Sequence, residues 1–249
     1  MTARTTDDEQ PGLPEAGLLV VVAVPAEAEA VLRGLGGAAR ALPVPGGALH
    51  RTEPAPGVTV DVLAAGVGPA AAAAGAGAAL ALHGYALVVS AGIAGGFAPH
   101  APVGSVVVAD AVVAADLGAE TPEGFADVTE LGFGTVRHTP PPAAVALAAQ
   151  ALRATVGSVL TVSTVTGSAD RAAALTARHP GAAAEAMEGF GVAEAAARHG
   201  LPVLEIRTVS NAVGPRDRSA WRIGEALGAL ERAFAALPYP ELLKEVHRG

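Results

Sequence analysis

The chain has no cysteine, which excludes disulfide bridges and thiolate metal sites. Aromatic residues make up only 3% of it, so any core is built from small side chains, chiefly alanine, valine and glycine. Cations are scarce as well. Sixteen lysines and arginines against 24 acids give a formal charge of −8, the wrong sign for a nucleic-acid-binding face. The seven histidines never pair at ligand spacing, so no metal is expected. Between Val62 and Ala109 there is no Asp, Glu, Lys or Arg. That stretch still does not read as a membrane span, because Gly66, Pro69, Gly84, Gly92 and Pro99 break it into pieces. Each piece is shorter than the roughly 20 apolar residues a spanning helix needs. The first residues, MTARTTDDEQPGLPE, are acidic where a secretory signal would be basic. Residues 1–16 therefore read as a flexible solvated tail, and the protein as cytoplasmic.

What is present is an alternation. Residues 18–24, 58–65, 86–90, 103–114, 158–165 and 203–209 are apolar runs of strand length, rich in valine. Between them, residues 27–35, 69–82, 143–154, 169–179 and 185–199 have helical composition, and Ser219 is placed to cap a last helix running to 237. Residues 115–140 form a long irregular segment of the kind that often lines a site. Strands alternating with helices predict an α/β fold with a largely parallel sheet covered on both faces. No repeat and no linker divides it, so residues 17–249 are expected to form one domain. Ligands of such sheets gather at the carboxyl ends of the strands.

Two glycine-rich turns leave those strand ends. GVGPAA at 66–71 loosely fits a dinucleotide-binding turn, but the next strand, ALVVS, ends with no acid nearby to hold a ribose. No cofactor is expected there. AGIAGG at 91–96 has almost no side-chain bulk, which suits either a tight turn or a ligand against the backbone. The carboxylates have two readings each. Glu185 and Glu188, in AEAMEGFG, could simply face a helix dipole; beside Met187, Glu188 could instead accept from vicinal sugar hydroxyls. Glu27 and Glu29 could be solvated residues of a first helical turn. Glu205 and Arg207 are two apart on a strand and share a face, which suggests a structural ion pair at a subunit contact.

Taken together, VVVAVPAEAEA, LAAGVGPAAAA, LVVSAGIAGGFAPHAPVGSVVVAD, STVTGSADR, AEAMEGFGVAEAAARHGLP and VLEIRTVSNAVGPRDR resemble the nucleoside phosphorylase/nucleosidase superfamily. They run in order from about residue 18 to 218. The resemblance implies a three-layer α/β/α sandwich around a twisted mixed β-sheet, and cleavage of an N-glycosidic bond without metal or cofactor. It implies roles residue by residue. Glu29, chosen over Glu27 by its interval from Ile93, would activate water. Met187 and Glu188 would bind ribose, with Ala94 and Gly95 giving backbone contacts near the sugar. Val165 and Thr166 fall where the main chain meets the base, and Asn211 where a side chain meets the purine's imidazole edge.

Asn211 also carries a departure. Adenine-releasing members have an aspartic acid there, which can protonate N7; an amide cannot. It can, however, donate to a 6-oxo group and accept from a protonated N7. Facing adenine at the transition state, the flipped amide would set donor against donor, at about 1–3 kcal/mol for an unpaired group. Hypoxanthine is thus the expected base, and the EIRTVSN version points to the futalosine-cleaving branch, which serves menaquinone biosynthesis. Phosphorolysis is disfavoured because Ser90 stands where related phosphorylases place an arginine, leaving only Arg33, Arg40 or Arg51 for phosphate. Arg137, His138 and Arg216 are the candidates for the carboxylate at the substrate's far end. The alternatives are a methylthioadenosine/S-adenosylhomocysteine nucleosidase, a purine nucleoside phosphorylase and a silent nucleoside-binding module. A homo-oligomer is expected by analogy, with a purine nucleoside as partner and neither nucleic acid nor membrane.

Overall fold

A computed structural model describes residues 17–246; the expected tail, 1–16, lies outside the described residues. In chain order the elements are β1 (Gly17–Val22), α1 (Pro25–Leu35), β2 (Arg40–Val44), β3 (Gly47–Ala55), β4 (Val58–Ala64), α2 (Pro69–Leu82) and β5 (Leu87–Gly96). Then come β6 (Val106–Ala114), β7 (Gly118–Thr121), β8 (Gly124–Asp127), β9 (Arg137–His138), α3 (Pro142–Leu152), β10 (Thr155–Thr161) and α4 (Ala169–Arg178). The chain continues through β11 (Ala182–Ala186), α5 (Gly189–Arg198), β12 (Val203–Ala212), α6 (Ile223–Ala236) and α7 (Tyr239–Val246).

The main sheet is mixed and runs β11-β10-β6-β12-β5-β1-β4-β3-β2. β1 shows why it is central. Leu18, Val20 and Val22 belong to one hydrophobic core and Leu19 and Val21 to the other, so alternate residues feed both faces. Helices α2 and α5 cover one face; α1, α3, α6 and α7 supply side chains to the other. This is the expected three-layer arrangement around a mixed sheet.

One join positions the site. β1 pairs in parallel with β5 only as far as Ser90. Beyond it, the freed side of β5 is taken by β11, which pairs antiparallel at Gly95 and Gly96. The strands β5, β12, β6, β10 and β11 thereby close into a ring, with β1, β4, β3 and β2 as an open wing.

Several sequence expectations change. Residues 182–186 are a fully buried strand, so the helix expected from 185 begins only at Gly189; pairing with both β10 and β5 overrides the poor strand preference of alanine. The last long helix begins at Ile223, and Ser219 lies in a short 3₁₀ turn whose N-cap is Asp217. Residues 115–140 contain the hairpin β7–β8 and the short strand β9. The hairpin strands β2 and β3 and the helix α7 were not expected.

Candidate functional site

The carboxyl ends of β1, β5, β11 and β12 and the segment that follows β10 enclose a cavity of about 350 Å³, within the range of small-molecule sites. Ala94, Gly95, Val165, Thr166, Met187, Glu188 and Asn211 all line it, together with Glu27, Glu185, Ser210 and Trp221. Three of these are carboxylates. Among the described residues, the lining holds no cationic side chain. A larger cleft, about 690 Å³, lies between β7–β8 and α4. Both of its arginines are already engaged: Arg171 with Asp116 at 3.8 Å, and Arg178 over the Phe125 ring at 4.3 Å.

Glu29 is not in the cavity. It is exposed on α1, whereas Glu27 is buried and faces inward. Two residues along an α-helix turn about 200°, so one helix cannot aim both acids at one point. The signal was available: Glu27 stands four positions before buried Val31, on the apolar face. Of the two acids, Glu27 is the one that lines the cavity. Its Oε2 accepts from the backbone N–H groups of Ala23 (2.9 Å) and Val24 (3.2 Å), and Oε1 from that of Ile93 (2.9 Å). Burial raises its pKa above the ordinary glutamate value, against these bonds and the charge of Arg207.

Beneath the cavity lies the pair from the apolar strand. Glu205 and Arg207 are fully buried within one chain, so the expected subunit contact is corrected to a core ion pair. Arg207 Nε donates to Glu205 Oε1 at 2.8 Å, Nη2 to Ser90 Oγ at 3.0 Å, and Nη1 to Glu188 Oε2 at 3.4 Å. Burial opposes its charge, but Glu205, Glu188 and Glu27 together hold its pKa above the usual value. Burial also raises the pKa of Glu205, whose Oε2 has no hydrogen-bond partner among the described residues. Gly92 makes the convergence possible. A Cβ there would lie 2.5 Å from Glu27 Oε1 and 2.9 Å from Arg207 Nη1.

Glu188 is the N-cap residue of α5, but its side chain does not cap that helix. Oε1 accepts from Gly68 N–H (3.2 Å), the N-cap of α2, and Oε2 from Met187 N–H (3.3 Å). The GVGPAA turn thus positions a carboxylate instead of a pyrophosphate. Asn211 is the penultimate residue of β12, with its Oδ1 accepting from Ser210 Oγ (2.8 Å) and Nδ2 donating to the Ala212 carbonyl (3.0 Å). One lone pair and one N–H remain for a ligand.

Thr166 lines the cavity, but its N–H is already committed to Glu185 Oε1 at 2.8 Å. The local sequence predicts a helix start at Glu185; on β11 it is instead buried, and burial raises its pKa. The remaining candidates sort by contact. Arg33 pairs with Glu231 and Arg51 with Asp61, and none of Arg33, Arg40 and Arg51 lines the cavity. Arg137 is exposed, and His138 Nε2 lies 2.8 Å from Glu194 Oε1. Arg216 stacks over Trp221, 5.3 Å from a ring that lines the cavity.

A model described as the phosphorylase superfamily matches residues 18–238. The chain is 63% identical over 232 residues to a futalosine hydrolase of Streptomyces coelicolor, covering 88% of this chain and 94% of that one. It is 50% identical over 224 residues to a futalosine hydrolase of Acidothermus cellulolyticus, covering 88% and 89%. In fold it is similar to a 5′-methylthioadenosine/S-adenosylhomocysteine nucleosidase from Colwellia psychrerythraea solved with adenine. The TM-score is 0.76 at 23% identity, over 93% of this chain and 96% of the other.

Proposed function

Because the chain belongs to the phosphorylase superfamily, we propose that its cavity is the active site of a cytoplasmic futalosine hydrolase. The enzyme cleaves the N-glycosidic bond of futalosine, releasing hypoxanthine and dehypoxanthinyl futalosine for menaquinone biosynthesis. The observation that carries the reading is the convergence of Glu27, Glu188 and Asn211, far apart in sequence, on one cavity without a cationic side chain among its described residues.

The chemistry follows from charge. As the C1′–N9 bond stretches, positive charge develops on the sugar and negative charge on the base. Glu27, Glu188 and Glu205 surround one guanidinium, an arrangement with excess negative charge that favours an oxocarbenium-like sugar. Glu188, fixed by Gly68 and Met187, accepts from the ribose hydroxyls, with Met187 against the sugar. Glu27 takes a proton from the attacking water, with its unprotonated form held in place by three backbone N–H groups. Asn211 meets the departing base at O6 and N7.

Water rather than phosphate is the nucleophile in this proposal, because three carboxylates line the cavity and Arg207 is already bound to Glu205, Ser90 and Glu188. Arg216, beside Trp221, is the partner proposed for the substrate's aryl carboxylate. Self-association is part of the same proposal; Leu117, Leu131 and Phe133, all exposed, offer apolar surface for it, and light scattering measures it.

The test is incubation with futalosine, inosine and methylthioadenosine, each with and without phosphate, followed by assay of base and sugar. Hypoxanthine and a free reducing sugar are expected from futalosine, independent of phosphate. A sugar phosphate, or preference for methylthioadenosine, overturns the reading.

A further inference from the structure

Glu185 is a buried acid in the cavity that the mechanism above leaves unused. Its Oε1 accepts from Thr166 N–H and its Oε2 from Thr166 Oγ1. An ionised carboxylate offers about four lone-pair sites, so roughly half of its acceptor capacity is open while the group is almost wholly withdrawn from water. Such a group gains from any further N–H donor.

The sheet register shows where that donor would come from. Gly95 on β5 pairs with Glu185 on β11 and, on its other side, with Asn211 on β12. Neighbours in register point to the same face of a sheet, and strands lie about 4.8 Å apart. Glu185 and Asn211 therefore stand about 10 Å apart at Cα, across a glycine floor. A Cβ at Gly95 would come within 3.3 Å of Asn211 Nδ2, so bulk there would fill the slot. A 6-oxopurine carries N1–H, O6 and N7 consecutively along one edge, and an amide serving O6 and N7 leaves N1–H directed the other way.

We infer that Glu185 is a second specificity residue, accepting a hydrogen bond from N1–H of the leaving 6-oxopurine opposite Asn211. The inference rests on the proposed reading of hypoxanthine as leaving base. Adenine presents a lone pair at N1 in place of a hydrogen, so the carboxylate rejects it independently of Asn211. The commitment of Thr166 N–H to Glu185 supports this, since the base edge then meets the carboxylate rather than that amide.

The experiment compares hypoxanthine with 1-methylhypoxanthine as inhibitors, and inosine with 1-methylinosine as substrates. The wild-type enzyme is expected to bind hypoxanthine roughly 10- to 100-fold more tightly than its N1-methyl form, as loss of one hydrogen bond to a charged acceptor implies. Glu185→Gln should lose most of that ratio, whereas Thr166→Val, which keeps the carboxylate, should retain it. Equal wild-type affinity for the two bases overturns the inference, whether or not the variants fold. So does a Glu185→Gln enzyme with an unchanged ratio. Failure of the wild-type enzyme to release hypoxanthine from futalosine would instead strike the proposed function itself.

Discussion

Replacing Glu27 by glutamine separates the two acids of α1 most sharply. The carboxylate accepts three backbone N–H bonds, two on Oε2 and one on Oε1. A glutamine can keep its oxygen towards Ala23 and Val24, but its NH₂ then faces the N–H of Ile93, donor to donor. That clash costs about 1–3 kcal/mol, partly offset because a buried charge disappears. For a chain of this size the melting temperature should fall by about 2–10 °C, leaving a folded enzyme at assay temperature. Turnover should fall much further, by about 10²–10⁴-fold, the usual contribution of a general base. KM should stay near its wild-type value, since Glu27 serves the water. Glu29→Gln, on the exposed side of the helix, should leave turnover unchanged and stability within about 0.5 kcal/mol. The pH profile supplies a second reading. Burial raises the Glu27 pKa above 4.5, and only the ionised form accepts the proton. The acid limb of the rate should therefore lie above the range of an ordinary glutamate. The same shift means the folded chain holds this proton where the unfolded chain has lost it, so Glu27's contribution to stability falls as pH rises through that window. Hypoxanthine release, followed by absorbance or chromatography, measures both variants. Wild-type turnover in Glu27→Gln with collapse in Glu29→Gln would refute the assignment.

Gly189→Ala should destabilise the protein by about 3–5 kcal/mol in urea unfolding, because the new methyl collides with both carboxylate oxygens of Glu205 and displaces a buried ion-pair partner; an unchanged midpoint would mean that the pair is free to shift. Asn211→Asp should move preference from inosine towards adenosine in a competition assay, since the acid can protonate N7; an unaltered ratio contradicts the account of the base edge. Arg216→Ala should raise KM for futalosine and leave inosine hydrolysis unchanged, as steady-state kinetics on the two substrates will show, because only futalosine carries the aryl carboxylate.

Much of the site was legible before any coordinates. The SNA end of VLEIRTVSNA places Asn211 at the mouth of a strand, and Met187-Glu188 precedes a helix that glycines open to close approach. Which of Glu27 and Glu29 faces the cavity was legible too, through helical periodicity, but a spacing comparison across the chain pointed to Glu29, which the fold leaves exposed. Glu185 was not legible. Its local sequence is alanine, which favours helix, and only the strands on either side make it a strand.

The sequence by itself determined the alternation of strand and helix, the absence of thiol chemistry, and the polar residues that leave each strand. Those depend on local period and residue type, which need no neighbours. Tertiary structure alone decided the rest. Parallel and antiparallel pairing on Gly95 brought Glu185 and Asn211 into one row. The burial of Arg207 among Glu205, Glu188 and Glu27 likewise required segments distant in the chain to share one low-dielectric space, where a charge is held only by the partners the fold supplies.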